Sequence, residues 1–280
     1  LDVPHEVRDR DYFYIWSFSP WGIWAALGLF YIWESLAQMF VATEGTAKKA
    51  GSRPAVTSRG WVLACPVLLL AIVPMAANWR WASRAGHHDT RDFAHDMHNS
   101  VEPYGVLVVV GDNDTFPLWY AQEVEGIRKD VVVVNTSLLG TDWHPRQIIQ
   151  RPIFEYDAAK GPAVYRDKQW TKPPTAPLKM TLDEADSVPS HYQFTGPQSF
   201  RPGELQAIID ARNLEYGVLL PADYFVLRMI QDSWTERPIY FSRSSGPYPR
   251  QLGLGEKILI QGLASKVFVP PDSTPKKVFS

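Results

Sequence analysis

The sequence contains a single cysteine and almost no net charge, and each scarcity excludes a class of protein. Cys65 has no second cysteine to pair with, so the chain cannot form an intrachain disulfide. The formal net charge of −2 provides no excess of positive charge for binding a nucleic acid, so we expect no nucleic-acid partner. The chain also lacks a phosphate-binding loop, a Gly-x-Ser-x-Gly motif and a Cys-x-x-Cys motif, and we expect no cofactor.

Charged residues are missing from two long segments near the N-terminus. Residues 12–33 and 61–79 carry no charged side chain, and each run is long enough for a helix to cross a bilayer, which takes roughly 20 mostly apolar residues. Tryptophan or tyrosine stands at both ends of each run, as is typical of residues at the level of the lipid headgroups. We therefore predict two membrane-spanning helices, at about 12–34 and 61–79, in a membrane region of residues 1–80.

The loop between the two predicted spans indicates their orientation. Its basic residues outnumber its acidic residues, with Lys48, Lys49, Arg53 and Arg59 against Glu34 and Glu44. Because basic loops stay on the cytoplasmic side, we expect residues 81–280 to be extracytoplasmic. The chain enters its first span almost at once, and we interpret it as the C-terminal piece of a longer polytopic protein.

The first part of residues 81–280 has the pattern of a β-α-β unit. Residues 105–110 and 130–135 are apolar, valine-rich runs, which are typical of strands buried on both faces. The segment at about 116–126 between them predicts a helix that begins near Pro117 and ends at a glycine. Residues 84–101 predict another helix before the first strand. A strand, a short helix and a second strand are the usual components of a parallel sheet.

The rest of this domain is irregular until its last third. Residues 151–202 are rich in proline and sustain no periodicity, so we predict a long loop. Four more elements are predicted beyond it: a helix at about 222–234, a strand at 238–242, a helix at about 254–262 and a strand at 265–269. We therefore expect a three-layer α/β domain with a mostly parallel sheet of about four strands.

Polar residues follow both predicted strands, at the sheet edge where ligands bind α/β proteins. They are Asp112, Asn113 and Asp114 after the first strand, and Asn135, Ser137, Asp142, Trp143 and His144 after the second. We expect these eight residues to line a substrate-binding crevice, in which Trp143 could stack on a sugar or an acceptor. Turns and helix caps have the same composition, so purely structural roles remain an alternative.

The same residue types suggest two metal sites, and neither is well supported. Asp112 and Asp114 are spaced Asp-x-Asp, as in glycosyltransferases that hold a nucleotide sugar through Mg²⁺ or Mn²⁺. Too few soluble residues precede the first strand to build the nucleotide-binding half of such an enzyme. His88, Asp92 and His95 share one face of a predicted helix, but a zinc site needs several converging ligands. We therefore predict no metal site.

The segments after the two predicted strands carry a distinctive pattern: Gly111-Asp-Asn-Asp-Thr-Phe-Pro-Leu-Trp-Tyr-Ala-Gln-Glu-Val-Glu-Gly126, then Arg128, Asp130-Val131 and Asn135-Thr-Ser-Leu-Leu139. This pattern closely resembles the signature of a bacterial family of polytopic membrane proteins, domain of unknown function 2723. Residues 6–13, 237–242 and 261–264 are also similar to this family. The family is related to the eukaryotic protein O-mannosyltransferase transmembrane protein 260.

The resemblance implies an integral-membrane glycosyltransferase in a bacterial inner membrane, with a lipid-linked sugar donor and a possible role in protein O-mannosylation. The catalytic acid of such enzymes lies in a first extracytoplasmic loop that nothing in this chain matches, so we expect no catalytic residue here. The implied partners are the bilayer, a lipid-linked sugar and a protein or glycan acceptor. This part would serve acceptor binding or assembly. The alternatives are a non-enzymatic extracytoplasmic module and an Asp-x-Asp nucleotide-sugar transferase.

Overall fold

The computed structural model describes residues 15–42 and 58–270, and the chain divides into two compact units, Leu1–Gly86 and His87–Ser280. The first unit contains helix α1 (Ile15–Ala42), helix α2 (Ser58–Ala64), a 3-10 segment (Cys65–Ala71) and helix α3 (Ile72–Ala82). Pro66 stands at the start of the 3-10 segment, where its missing N–H interrupts the α-helical hydrogen bonds.

Two helices of the described chain are long and apolar enough to cross a membrane, Trp16–Phe40 and Ser58–Ala82. Their mean hydropathies are 1.2 and 2.2, and only 6% and 11% of their apolar segments are buried, unlike the core helix of a soluble protein. They match the two predicted spans in position. That these helices cross a membrane stays a prediction. Their direction also stays a prediction, because the basic loop with Lys48, Lys49 and Arg53 lies outside the described residues, as do residues 12–14 of the first predicted span.

The second unit alternates helices and strands. Its first half contains α4 (Asp89–Asn99), β1 (Val106–Val109), α5 (Asp112–Glu123), β2 (Val132–Asn135), α6 (Trp143–Gln150), α7 (Ala163–Arg166) and α8 (Leu182–Asp186). Its second half contains β3 (Gln198–Phe200), β4 (Ala207–Ile209), α9 (Pro221–Ser233), β5 (Ile239–Ser242), α10 (Tyr248–Gln251), β6 (Ile258–Gln261) and β7 (Ala264–Val267).

Five strands form one mixed sheet in the order β2-β1-β5-β7-β6. Strand β1 is parallel to β2 and to β5, with Val106 opposite both Val132 and Ile239. Strand β7 is antiparallel to β5 and to β6. The parallel β-α-β unit is therefore present as predicted, but the sheet is larger and more mixed than the expected four mostly parallel strands.

The antiparallel part of the sheet corrects the prediction for residues 254–262. We expected a helix there, but Ile258, Leu259 and Ile260 are consecutive apolar residues, and so short a run suits a strand as well as a helix. The segment instead forms β6 and turns directly into β7, with Gln261 opposite Ala264. Gly262 opens this two-residue turn at φ +60°, the conformation that a tight hairpin requires of its first central residue.

Side chains of the sheet alternate between two buried layers, which gives the predicted three-layer arrangement. Val106 and Val108 belong to a core cluster that includes residues of α9 and α6. Leu107 and Val109 belong to a second cluster, with residues of α4 and α5. Because both faces of β1 are covered, the strand is apolar along its whole length.

The start of α5 and the content of the proline-rich segment also differ from the prediction. Helix α5 begins at Asp112 rather than near Phe116, so Pro117 lies beyond its first turn and cannot donate to the carbonyl of Asn113. The proline-rich segment 151–202 contains α7, α8 and β3, although most of it is irregular. It is packed onto the domain by Leu178, which is 1% exposed and belongs to the same core cluster as α9.

Candidate functional site

The carboxyl ends of the three parallel strands β1, β2 and β5 lie at one edge of the sheet, which we call the carboxyl edge. From β1 the chain passes through α5 to β2 on one side, whereas β5 pairs with β1 on its other side. The point where neighbouring connections leave in opposite directions is where open α/β sheets bind ligands. In this domain that point lies between β1 and β5, and the segments after them are residues 110–114 and 243–246.

Asp114 connects these two segments. It lies in the first turn of α5 and is 3% exposed. Ser244 Oγ donates a hydrogen bond to Asp114 Oδ2, and Ser242 Oγ lies 3.0 Å from Ser244 Oγ. The buried carboxylate therefore fixes the 3-10 turn Arg243–Ser245 against the start of α5.

Asn135, the last residue of β2, connects the end of that strand to α5 and α6. Its Nδ2 donates to Thr115 Oγ1 at 2.8 Å, and its Oδ1 accepts the backbone N–H of Ser137 at 2.7 Å. Its own backbone N–H donates to His144 Nε2 at 3.2 Å. Asn135 and Thr115 are fully buried, so this network fixes the backbone after β2 against α5 and α6 without being exposed at the surface.

His144 is a structural group in this arrangement. Because Nε2 accepts the N–H of Asn135, the proton of the neutral ring sits on Nδ1, which faces Gln147 Oε1 at 3.3 Å. Burial lowers the pKa of His144, and the bond to Gln147 opposes this only in part. The ring stays neutral, wedged between the indoles of Trp119 and Trp143 at centroid distances of 6.1 and 5.2 Å.

The eight predicted site residues therefore separate into two groups. Three are buried and hold the edge together: Asp114, Asn135 and His144. Five are exposed: Asp112, Asn113, Ser137, Asp142 and Trp143. Only the exposed group can contact a ligand without rearrangement of the fold.

Helix capping does not account for the aspartates. The residue that precedes the first turn of α5 is Gly111, at φ +81° and ψ 178°, and no side chain caps the helix. Asp112 and Asp114 instead lie within the first turn, where a carboxylate interacts favourably with the helix dipole. Asp142 precedes α6 and its side chain does not cap that helix.

The Asp-x-Asp alternative is not supported by the helix geometry. Side chains that are two positions apart on a helix point in different directions. Accordingly, Asp112 is exposed, whereas the carboxylate of Asp114 is buried against Ser244. The histidine face of α4 is likewise occupied, because His95 Nε2 lies 2.5 Å from Glu125 Oε2. In the described ranges no group of three His, Cys, Asp or Glu residues is arranged to hold a metal ion.

The residues after β5 also belong to this edge, and the sequence analysis did not predict them. Ser242 and Ser244 contribute to the carboxyl edge as directly as Asn135, and Gly246 turns the chain at φ +56°. A signal was present, because residues 242–246 form a polar, glycine-containing segment directly after a predicted strand, like the two segments that we selected. What the sequence did not show is that β5 lies beside β1.

A cavity of about 420 Å³ lies close to this edge, between α6, α8 and the start of α9. Of the eight predicted residues, only Asp142 lines it. Pro221 and Phe225 of α9 and Asp186 of α8 form other parts of its wall. It offers space beside the edge, with a partly acidic lining.

Residues 90–173 match the family model of TMEM260-associated domain 2. The matched segment runs from α4 to just beyond α7 and contains all eight predicted site residues. Comparisons with curated proteins and with solved structures give no match. The family match supports a relation of this chain to TMEM260, through the segment that builds most of the candidate site.

Proposed function

We propose that this chain is the C-terminal part of a glycosyltransferase-like integral-membrane protein and that its carboxyl edge binds the acceptor. The sugar donor in this proposal is lipid-linked, with mannose as the first sugar to test. The observation that carries it is the overlap of the TMEM260-associated domain with the first β-α-β unit, whose exposed polar residues follow the strands.

The chemistry of the edge favours binding over catalysis. General acid–base catalysis needs a group within hydrogen-bond reach of the reacting atom and free to exchange a proton. His144 is buried and its Nε2 already accepts a backbone N–H, while Asp114 accepts from Ser244. Neither buried group can therefore serve as the reacting acid or base, and in our proposal that group comes from another part of the full-length protein.

The exposed residues have the properties of an acceptor site. Trp143 is 48% exposed, yet its ring is held against His144, so it offers a preorganised apolar surface. Asp112, Asn113 and Ser137 supply hydrogen-bonding groups from two neighbouring segments. A few fixed polar groups beside an aromatic surface are typical of small-ligand sites.

A transfer assay on the full-length protein tests this proposal. Membrane vesicles would be given polyprenyl-phosphate mannose and a peptide acceptor, and Asp112→Asn and Trp143→Ala would be compared with the parent. We expect each variant to raise KM for the acceptor by roughly 10-fold, equivalent to about 1.4 kcal/mol, with the KM for the donor unchanged.

Asp183→Asn is the matched control, because Asp183 is also an exposed carboxylate in the first turn of a helix. It should leave both KM values at the parental level. If activity instead fell in proportion to the amount of each variant in the membrane, the residues would have a structural role and the proposal would fail.

The Asp-x-Asp alternative has its own test. On our proposal residues 1–280 transfer no sugar from either a lipid-linked or a nucleotide-linked donor, with or without Mn²⁺, because the catalytic group is not in this chain. Metal-dependent turnover of a nucleotide sugar by this chain alone would make the alternative the better explanation.

An assembly role is the second candidate, favoured by an exposed apolar stripe on α5. Phe116, Tyr120 and Val124 follow one another at four-residue spacing and are 57%, 52% and 67% exposed. A stripe of this kind suits contact with the remainder of the same polytopic protein. Replacing all three with serine would then weaken copurification with the upstream part, whereas a pure acceptor-binding domain would copurify unchanged.

A further inference from the structure

A second cavity lies at the opposite edge of the sheet, where the parallel strands β1 and β5 begin, which we call the amino edge. Its volume is about 500 Å³. It is bounded by residues that precede β1 and β5 and by residues at the end of the antiparallel strand β7, among them Tyr104, Pro238 and Phe268. None of the eight residues of the candidate acceptor site lines it.

Arg237 is a buried cation in the wall of this cavity. The residue is 5% exposed, and within the described chain only its Nη2 donates a hydrogen bond, to the carbonyl of Thr175. Its Nε is buried without any partner. No carboxylate of the described residues lies within ion-pair distance of the guanidinium.

The two carboxylates that also line the cavity are already paired. Glu236 accepts hydrogen bonds from Lys179 Nζ and from Thr175 Oγ1, the latter at 3.0 Å. Glu102 holds Lys266 Nζ with both oxygens, at 2.8 and 2.7 Å. Among the described residues around this cavity, Arg237 is therefore the charged group with no carboxylate in ion-pair or hydrogen-bond contact, although Glu236 lies near enough to act on it electrostatically.

An unpaired buried charge is unusual because desolvation is costly and arginine cannot readily escape it by losing its proton. Burial lowers the pKa of Arg237 to about 10, with the nearby Glu236 acting in the opposite direction. The guanidinium is thus still charged at neutral pH. A carboxylate or a phosphate in the cavity would supply a negative charge beside the guanidinium.

Two tryptophans give the cavity fixed apolar walls. Trp170 is held by a hydrogen bond from Nε1 to the carbonyl of Tyr165 at 2.9 Å, and its ring meets the Tyr165 ring edge-on. Trp234 packs against Gly203, where an added Cβ would come within 2.7 Å of the indole. Both walls line the cavity, and its volume suits a ring of monosaccharide size.

We propose that this cavity binds an oxyanion attached to a ring of monosaccharide size, with Arg237 pairing the anion and the ring packing against Trp170 and Trp234. The anion is a carboxylate or a phosphate, so a uronic acid and a sugar phosphate both offer the required chemistry. The site is separate from the proposed acceptor site, since the two lie at opposite edges of the sheet and share no residue.

Binding to the whole 280-residue chain in detergent micelles tests the proposal. The probes are glucuronate, mannose 1-phosphate, neutral mannose and inorganic phosphate, each titrated by calorimetry and by thermal shift. We expect at least one of the two sugar anions to bind and to raise the unfolding midpoint. Mannose and inorganic phosphate should bind at least 10-fold more weakly, and the better sugar anion identifies the source of the oxyanion.

Variants connect binding to the residues. Arg237→Gln should weaken the sugar anion at least 10-fold, whereas Arg212→Gln, at an exposed arginine paired with Asp210, should not change it. If Arg237→Gln failed to fold, Trp170→Leu and Arg237→Lys would carry the test, with weaker binding expected from each.

Three results would overturn the proposal. Neither sugar anion might bind the parent chain at millimolar concentration. Neutral mannose or inorganic phosphate could bind as tightly as the sugar anions. Finally, a folded Arg237 or Trp170 variant could bind the sugar anion with parental affinity.

Discussion

The two edges of the sheet differ in whether their buried polar groups are paired. At the carboxyl edge Asp114 and Asn135 each have partners within the fold, and the exposed residues above them are free to meet a ligand. At the amino edge the buried guanidinium of Arg237 lines a cavity with most of its donors unused. Buried polar groups that are hydrogen-bonded within the fold stabilise the structure of an edge. A buried polar group without a partner instead indicates a site where a ligand could supply one.

Arg128 provides the internal reference for this comparison, since it is a buried arginine that is fully paired. Its Nε and Nη2 each lie 3.1 Å from Asp130, both side chains are 1% exposed, and Nη1 donates to the carbonyl of His98 at 2.6 Å. Asp130 also accepts the N–H of Tyr104, at the mouth of the amino-edge cavity.

The largest expected effect is therefore that of Asp130→Asn. The change leaves the Arg128 charge buried without its counter-ion, and we expect a loss of about 3–5 kcal/mol in the free energy of unfolding. Denaturant titration followed by near-ultraviolet circular dichroism measures it. Glu123→Gln, at the more exposed ion pair between Glu123 and Lys129, is the control and should leave the midpoint in place. Equal unfolding midpoints for the two variants would contradict the conclusion that the buried pair of Arg128 and Asp130 stabilises the fold.

His98 shows the other way in which a buried group can avoid an unpaired charge. It is fully buried, Nε2 donates to the carbonyl of Leu118 at 3.2 Å, and Nδ1 has no partner in the described chain. Burial, with a smaller contribution from Arg128, lowers the pKa of His98 to about 3. The ring is consequently neutral in the folded protein, which is possible for histidine and not for arginine.

This predicts a pH dependence of stability. Below the usual histidine pKa of about 6.5 the unfolded chain binds a proton at His98 while the folded chain does not, so stability falls as the pH falls. Between pH 6.5 and 5 the expected loss is about 2 kcal/mol. Denaturant titrations of the parent and of His98→Gln should show that the variant loses the part of this slope that His98 contributes, while the part from His144, whose pKa burial also lowers, remains. An unchanged slope would mean that other groups titrate.

The carboxyl edge gives a smaller, matched contrast. Asp114→Ala removes the acceptor of Ser244 inside the fold and should lower the free energy of unfolding by about 1–3 kcal/mol. Asp112→Ala, two residues away and exposed, should leave it nearly unchanged. Hydrogen exchange of the segment after β5 would locate the effect, and similar exchange in both variants would contradict the buried and exposed division of the site.

Among the buried positions, the smallest expected effect on stability is that of Arg237→Met. The variant loses one hydrogen bond to Thr175 but also removes an uncompensated buried charge, so the net change should stay within about 1 kcal/mol. The contrast with Asp130→Asn, measured in the same titration, sharpens the comparison between a paired and an unpaired arginine. A loss as large as that of Asp130→Asn would show that the Arg237 charge is compensated by the protein itself.

Much of the fold could be predicted because its signals are local. The valine-rich runs predicted β1 and β2, and the charge-free runs predicted the apolar helices α1 and α2–α3. Residues 258–260 were misassigned because a short apolar run suits a helix or a strand equally, and the decision came from the turn at Gly262 and the pairing with β7. The start of α5 was missed because Pro117 is tolerated inside the helix at the loss of one hydrogen bond.

The candidate site was predicted only in part, for the same reason. Residues that follow β1 and β2 could be selected because each comes directly after a recognisable strand. The bond from Ser244 to Asp114 joins residues that are 130 positions apart, and it depends on β5 lying beside β1. Strand order is not encoded in any local periodicity, so this half of the edge was not predicted.

By itself the sequence determined which segments are apolar helices, which are buried strands and which polar residues follow those strands, because periodicity and composition act over a few neighbouring residues. Only the tertiary structure decided that β5 completes the carboxyl edge and that Arg237 is buried without a counter-ion. Both facts depend on how segments far apart in the chain pack together. Burial of a charge and the pairing of distant strands are properties of the whole packed domain, and they exist only once it has folded.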